Sequence, residues 1–533
     1  MPERKIEIRR FWWVVTAAMQ WGISFFTDRK IFQLTQDKYM FYAVLKAAFL
    51  CLLLWIWKLI FKTAANLLKG HPGTKVRIFY GSIYTVILFL ALLLTWPGIW
   101  RTDEFGILGN VVAVQIYWWQ HFLTSLFYFF SFMIIPNPVG AIVIQVLICG
   151  CGFGYIAETV SRRTGKKAMG AIMLIPFCIP SVIMFQIYPM RITLYALLEL
   201  VLLLYLYEHA SDIVHTGYIG HVGDMNRADN MEAVGNWQII LLAVATAILA
   251  TWRSEGIYYI LLLPLWFLIL FRKKRIGIRK LILYLFVSFG LFTAIYAMQS
   301  VGIHKDRNDA YEMTAYAQSL PVLLRSAAAD GDTEGIAIAE KIVDVQAVMN
   351  AKEGIESFWA GDMTTKEYSP EEFKAFKKQF ITWVFRYRNA FIKERIHTML
   401  TSREQTKSTV NLHDSSNIQF VYFLMTFRHV DPINSDLRDQ IITFMEQKVF
   451  CLFEIPAAIM AVVFVWCLLR KREAWMLIGM ILIRIPLVLL TAPDNYFMYY
   501  YPFYLTGSVL FFFILAGFFA KDRQTETAET VTN

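Results

Sequence analysis

Two adjacent carboxylates, Asp103 and Glu104, directly follow a long apolar segment and could carry acid–base chemistry. The segment 78–100 contains no charged residue, and Pro97 is expected to end the helix that its composition predicts. A carboxylate can take a proton from a substrate hydroxyl or bind a divalent cation. We predict Asp103 as a general base and Glu104 as its assistant, with either residue a candidate ligand for Mg²⁺ or Mn²⁺. A solvated pair at a helix end is the alternative.

Two arginines at the ends of other apolar segments could bind phosphate. Arg253 and Glu255 lie in the turn TWRSEG, and Arg191 follows Tyr-Pro-Met. A guanidinium binds phosphate through two parallel N–H groups. Arg253 is the first candidate phosphate ligand and Arg191 the second. Ion pairing of Arg253 with Glu255 and an interfacial anchoring role for Arg191 remain the alternatives.

Three further residues could contact a polar substrate. His121 follows Trp-Trp-Gln and could orient an acceptor or the carboxylates. Asp494 and Tyr496 lie in the aromatic segment TAPDNYFMYYYP and could contact a sugar or a phosphate. A structural histidine and a plain interfacial loop are the alternatives.

Composition places these residues in an all-α membrane protein. The chain has 533 residues, of which 57% are hydrophobic and only 17% charged, with a mean hydropathy of +0.47. A soluble protein of this size would carry more charge. The formal net charge of +10 resides largely in short basic segments, which mark cytoplasmic loops rather than a nucleic-acid site.

The apolar segments predict about twelve membrane spans with both termini in the cytoplasm. The predicted spans are 11–26, 43–62, 78–97, 137–158, 169–187, 191–208, 237–252, 257–271, 279–300, 449–469, 473–491 and 498–519.

One apolar segment does not fit this count. The segment 115–135 is apolar enough to span, but an odd number of crossings must separate the outer loop from the basic loop at 162–167, and 137–158 already supplies one. We therefore interpret 105–134 as helices that lie on the outer surface, although a further span at 115–135 is the alternative.

The predicted domains follow from this topology. Residues 1–300 form an N-terminal membrane domain whose first exterior loop, 98–136, carries the carboxylates. Residues 301–448 form an exterior helical domain, 449–519 the last spans and 520–533 a disordered cytoplasmic tail.

The exterior segment contains a helix start and an amphipathic face. Ser-Pro-Glu-Glu at 369–372 predicts a capping box with proline at the first helical position. Aromatic and aliphatic residues then recur at helical spacing and require a partner surface, within this segment or on the membrane domain: Phe373, Phe376, Phe380, Val384, Tyr387 and Phe391.

The loop TWPGIWRTDEFGIL, the Trp-Trp-Gln-His segment 118–121, the turn 253–256 and the aromatic segment 494–501 together resemble a family. They look like GT-C class glycosyltransferases, in particular uncharacterised members from Gram-positive bacteria. Such enzymes take sugars from polyprenyl-phosphate carriers at the outer membrane face. This chain departs from better-known branches in having Phe122 after His121 where a proline is expected, and two spans rather than one before the span that bears the acidic pair.

The resemblance implies a GT-C-like helical bundle in the cell membrane of a Gram-positive bacterium. It also implies transfer of a sugar, with inversion, from a polyprenyl-phosphate donor to a glycan or protein acceptor. A polysaccharide polymerase or ligase and a lipid-linked sugar flippase or exporter are the alternatives. No organic cofactor and no nucleic-acid partner are expected.

Overall fold

The computed structural model describes residues 2–100, 102–210, 235–272, 276–305, 309–351, 358, 361, 368–402, 435–470 and 474–532. Within these ranges every regular element is a helix, which confirms the predicted all-α class. The chain divides into two compact units. Unit 1 comprises Met1–Gln299, Thr406–Met480 and Tyr501–Asn533, and unit 2 comprises Ser300–Gln405 and Ile481–Tyr500. Unit 2 begins within one residue of the predicted exterior domain, 301–448, whereas 406–448 is grouped with unit 1.

The first twelve helices lie in unit 1, and the twelfth continues into the first residues of unit 2. They are α1 Pro2–Asp28, α2 Tyr39–Leu68, α3 Pro72–Leu94, α4 Thr102–Val112, α5 Phe122–Ile134, α6 Val139–Thr164, α7 Leu174–Phe177, α8 Pro180–Gln186, α9 Arg191–Ala210, α10 Asn236–Trp252, α11 Tyr259–Arg272 and α12 Ile278–Lys305.

The remaining helices form the rest of unit 2 and the C-terminal part of unit 1. They are α13 Asp309–Ala317, α14 Leu320–Ala329, α15 Thr333–Ala339, α16 Val345–Asn350, α17 Pro370–Arg386, α18 Arg388–Thr401, α19 Ser435–Met445, α20 Glu454–Leu469, α21 Ala474–Leu482, α22 Arg484–Thr491 and α23 Tyr501–Thr532. Helix α23 includes most of the tail 520–533 that the sequence predicts to be disordered.

Six helical segments of the described chain are long and apolar enough to cross a membrane, which is compatible with a membrane protein. Large apolar side chains on them face outward, such as Leu261, 66% exposed, and Phe286, 78% exposed. Each segment overlaps one predicted span: Gln36–Leu68, Pro72–Leu94, Val139–Thr164, Ser254–Arg272, Ile278–Ile303 and Lys448–Leu469.

The other predicted spans correspond to shorter, bent or less apolar helices. Lys167–Phe177 and Pro180–Gln186 meet at 85° and would make a seventh crossing if they act as one span. Asn236–Trp252, Trp475–Thr491 and Tyr501–Ala516 are apolar but shorter than 18 residues. The total of about twelve spans stays a prediction.

The predicted outer-surface segment 105–134 contains two separate helices, α4 and α5. Helix α5 has 13 residues and is therefore about 20 Å long, less than the thickness of a hydrocarbon core. The break between the helices includes Val114, which has a positive φ of 53°. The chain therefore does not form one continuous helix over 115–135, and the location of α4 and α5 on the outer surface stays a prediction.

Glycines allow α3 and α6 to approach closely. A Cβ at Gly150 would lie 1.9 Å from the Thr85 hydroxyl, and one at Gly154 would lie 2.4 Å from the Arg77 carbonyl. The neighbouring Cys149 and Cys151 are free thiols. The glycines around these two cysteines therefore serve helix packing.

Two oppositely charged side chains are buried between α1 and α2. Asp28 is fully buried and Lys46 is 2% exposed, and their Nζ and Oδ2 atoms are 3.0 Å apart. The Tyr42 hydroxyl donates a hydrogen bond to the same carboxylate oxygen at 2.6 Å. A buried charge is tolerated when it is paired and hydrogen-bonded. The sequence analysis did not identify this pair.

The loop after Asp28 connects this ion pair to α4. The backbone N–H of Gln33 donates to the carbonyl of Val112, the last residue of α4, at 2.8 Å. Phe32 packs against Phe129 of α5 with ring centroids 5.8 Å apart. The loop of the α1–α2 hairpin therefore contacts both α4 and α5.

Unit 2 has an apolar core of its own. It is built from α13 to α18 and includes Leu320, Leu324, Phe376 and Trp383, all fully buried. The capping box is confirmed: Glu372 N–H donates to the Ser369 hydroxyl at 3.2 Å, and Ser369 N–H donates back to the Glu372 carboxylate at 3.0 Å. The predicted aromatic face of α17 packs into this core, so its partner surface lies within the segment 301–448.

We expect Lys46→Met to lower the free energy of unfolding by about 3–5 kcal/mol, because it leaves the Asp28 carboxylate buried and uncompensated. The double variant Lys46→Met with Asp28→Leu should recover most of that loss. Thermal and denaturant unfolding in detergent measure both effects. Lys58→Met, an exposed lysine on the same helix, is the control. A double variant no more stable than the single variant would contradict the explanation.

Candidate functional site

Asp103 and Glu104 lie in the first turn of α4, where the helix dipole favours negative charge. Asp103 is half-buried, and its Oδ2 accepts a hydrogen bond from the Gln120 amide at 2.8 Å. Glu104 is only 1% exposed, and its Oε2 accepts a hydrogen bond from the Tyr188 hydroxyl at 2.5 Å. Asp103 is therefore the more accessible carboxylate, while Glu104 is enclosed by the protein.

The ring of Tyr117 covers the first turn of α4. A Cβ on Gly106 would lie 2.8 Å from the Tyr117 Cζ atom, so only glycine accommodates the ring at this distance. Burial, together with the nearby charges of Asp103 and Glu104, raises the pKa of Tyr117 to about 12. The hydroxyl therefore stays protonated beside the carboxylates at neutral pH.

The segment 118–122 is held by a residue far away in the sequence. The Gln299 side chain accepts a hydrogen bond from the Phe122 N–H at 2.9 Å and donates one to the Trp118 carbonyl at 3.2 Å. This contact fixes the backbone on both sides of Gln120 and His121. It thereby positions the Gln120 amide against Asp103.

His121 caps α5 and is almost fully buried. Its Nδ1 accepts a hydrogen bond from the Leu123 N–H at 3.3 Å, so the neutral ring carries its proton on Nε2. That Nε2 has no hydrogen-bond partner among the described residues. Burial, and then the charge of Arg191, lowers the pKa of His121 to about 3. The ring is thus a neutral, buried N–H donor.

Arg191 is the first residue of α9 and lies close enough to His121 to affect its titration. It is half-buried, and no described residue forms a hydrogen bond or ion pair with its guanidinium. The preceding turn contains Tyr188, which contacts Glu104, and Pro189, whose carbonyl accepts a hydrogen bond from the Tyr128 hydroxyl at 2.8 Å. One short segment therefore connects the enclosed carboxylate to an arginine available for a ligand.

Arg253 and Glu255 form the ion pair that the sequence analysis gave as an alternative. Arg253 Nε lies 3.1 Å from Glu255 Oε2, and Nη2 lies 2.5 Å from Oε1. Both side chains are buried. The adjacent Trp252 donates to the Thr124 hydroxyl at 3.0 Å, which joins the turn to α5. A phosphate would have to compete with the Glu255 carboxylate for this guanidinium.

Asp494 and Tyr496 belong to unit 2. Asp494 is 4% exposed, and its Oδ1 accepts a hydrogen bond from the Asn495 N–H at 2.7 Å. Tyr496 stacks on Tyr499 with ring centroids 6.5 Å apart. Their contact with a sugar or phosphate remains a prediction.

A cation at the acidic pair would need ligands beyond these two residues. Across the described ranges no group of three or more histidine, cysteine, aspartate or glutamate residues could hold a metal ion. Asp103 and Glu104 could supply two carboxylates, with substrate or water completing the coordination shell.

The sequence analysis missed Tyr188, Gln120, Tyr117 and Gln299 as parts of this site. Gln120 immediately precedes His121, and Tyr188 lies three residues before Arg191, so a polar residue close to a selected one was the available signal. Gln299 carried no such signal. No protein-family model, no curated protein and no solved structure matches the chain.

We expect the stability of the protein to fall on acidification partly through His121. Its folded pKa of about 3 lies below the ordinary value of 6.5, so below pH 6.5 the unfolded chain takes up a proton that the folded chain excludes. Between pH 7 and pH 5 this difference should cost the wild type about 2 kcal/mol that a His121→Gln variant does not lose. Unfolding measured at both pH values tests this, with the exposed His71→Gln as control. Equal pH dependence in wild type and His121→Gln would contradict the assignment.

Proposed function

We propose that this protein is a glycosyltransferase that moves a sugar from a polyprenyl-phosphate carrier to a glycan or protein acceptor at the outer face of a bacterial cell membrane. One observation carries the proposal. A half-buried carboxylate, Asp103, belongs to the same set of contacting elements as Arg191, which pairs with no described residue, and the buried N–H donor His121.

The topology supports an exterior site. The basic segments of the chain mark the cytoplasmic side, and α3 then carries the chain outward from its basic start to the carboxylates at 103 and 104. In this arrangement both termini lie in the cytoplasm, and the chain crosses the membrane about twelve times in a GT-C-like bundle.

Asp103 would act as the general base. Its carboxylate removes the proton from the acceptor hydroxyl while the hydroxyl oxygen attacks the anomeric carbon of the sugar. The bond between the anomeric carbon and the phosphate oxygen breaks at the same time, so the carbon inverts, as the GT-C resemblance implies. The Gln120 amide orients this carboxylate by donating a hydrogen bond to its Oδ2 atom.

The leaving polyprenyl phosphate needs positive charge and N–H donors. Arg191 would supply the charge, because its guanidinium has no partner in the described chain, and His121 would donate its Nε2 proton as a neutral group. Arg253 is the second candidate phosphate ligand, and it can bind a phosphate only if the phosphate displaces the Glu255 carboxylate. Glu104 would hold Tyr188 and, in a cation-dependent reaction, contribute one ligand.

We expect Asp103→Asn to reduce sugar transfer by about 10²–10⁴-fold, the range that a positioned general base contributes. The assay measures transfer from a radiolabelled polyprenyl-phosphate sugar in membranes that contain equal amounts of each variant. Arg191→Gln should raise the donor KM at least about tenfold, and Arg191→Lys less, because lysine keeps the charge but loses the fork.

The controls separate chemistry from folding and from transport. Glu371→Gln removes an exposed carboxylate of unit 2 and should leave transfer unchanged. Full transfer by a normally folded Asp103→Asn protein would exclude the base assignment. Loss of lipid-linked sugar translocation without loss of transfer would instead indicate a flippase or exporter.

A further inference from the structure

The outer side of α17 carries a stripe of exposed basic and apolar residues. Lys374, Lys378, Ile381 and Phe385 are spaced by four, three and four residues, so they share one helix face. Ile381 is 54% exposed and Phe385 is 74% exposed, whereas the opposite face of α17 is buried in the core of unit 2. The stripe has no partner within the described chain.

The next helix, α18, repeats this arrangement. Ile392, Ile396 and Leu400 follow one another at intervals of four residues and are 45%, 41% and 47% exposed. Phe391 and Arg395 on the other side of the helix are buried. Two consecutive helices therefore each direct a row of large apolar side chains outward.

The cations beside these rows differ from the other cations of unit 2. Exposed Lys374, Lys378, Arg388 and Lys393 have no ion-pair partner among the described residues. By contrast, other basic residues of the unit are paired: Lys377 with Glu312 at 2.8 Å, Arg386 with Asp330, and Lys341 with Glu372 at 3.8 Å. Uncompensated positive charge therefore accompanies the apolar rows.

Helix α18 also lies against the end of an apolar helix. The guanidinium of Arg395 donates hydrogen bonds to the carbonyls of Leu489 at 2.8 Å and Ala492 at 2.5 Å, at the C-terminal end of α22. Helix α22 completes the apolar helix Trp475–Thr491. If that helix enters a bilayer, α18 lies within a few residues of the bilayer surface.

We propose that these outer faces of α17 and α18, the basic–apolar surface, bind the headgroup region of an anionic lipid bilayer. The lysine and arginine side chains contact lipid phosphates, and the apolar rows reach the boundary of the acyl chains. The charge favours a lipid surface over a second copy of this chain, because two identical basic surfaces repel each other. The inference depends on membrane insertion of the protein and not on glycosyl transfer.

The test uses the full chain in lipid vesicles. The exposed native cysteines Cys51 and Cys151 are first replaced by alanine, and Phe385→Cys is labelled with a polarity-sensitive fluorophore. The vesicles contain equal phosphatidylglycerol and phosphatidylcholine and a lipid spin-labelled at its headgroup. We expect at least about threefold stronger quenching at position 385 than at Ala337→Cys, which lies on the exposed polar side of α15.

Charge dependence and a second reporter complete the experiment. Replacing phosphatidylglycerol by phosphatidylcholine, or introducing Lys374→Glu with Lys378→Glu, should at least halve the quenching at position 385, because contacts between lysine and anionic headgroups are lost. Ile396→Cys reports independently on α18 if a variant of α17 fails to fold. Equal quenching at positions 385 and 337 would overturn the proposal. A different result would be a fluorophore at position 385 that is shielded from quenching to a degree that depends on the ratio of protein to lipid, with cross-linking between copies. That result would assign the surface to a second chain and would also overturn the proposal.

Discussion

The hydrogen bond between the Tyr188 hydroxyl and the Glu104 carboxylate joins the acidic first turn of α4 to the segment that leads to Arg191. An almost fully buried carboxylate requires such donors, because desolvation without them is costly. The segment that carries Tyr188 is held in turn by Gln145, whose amide donates to the Tyr188 carbonyl at 2.7 Å and to that of Gln186 at 3.0 Å. Since Arg191 begins the next helix, fixing this segment also fixes the position of the Arg191 backbone.

The partners of each arginine determine what it can do. Arg253 is neutralised by two hydrogen bonds to Glu255, and Arg395 is occupied by backbone carbonyls at the end of α22. Arg191 has its charge available, and the pKa of His121 responds to it. A bidentate ion pair is a poor starting state for binding a phosphate, because the carboxylate must first be displaced.

Unit 2 shows how one helix can have two unrelated faces. The inward side of α17 carries aromatic residues that fill the core, with Trp383 also donating a hydrogen bond to Asp332 at 2.8 Å. The outward side carries exposed apolar residues and lysines that form no ion pair with a described residue, which the core does not explain. The aromatic periodicity in the sequence therefore predicted the face of α17 that packs in the core. The basic and apolar stripe on the other face is available to contact a surface outside the protein.

The sequence by itself determined the all-helical class, the long apolar helices, the start of α17 at its capping box and the position of the carboxylates after an apolar helix. These features depend on neighbouring residues, since helical periodicity, capping and hydropathy act over a few turns. Only the tertiary structure decided that Glu104 is enclosed, that Arg253 pairs with Glu255 while Arg191 pairs with no described residue, and that Asp28 and Lys46 meet between two helices. The sequence already offered the neighbouring Arg253 and Glu255 as a pair, whereas the pair of Glu104 and Tyr188 and the pair of Asp28 and Lys46 join residues that lie 84 and 18 positions apart. Their formation depends on how several helices pack together, and packing at that distance leaves no periodic signal in a single sequence.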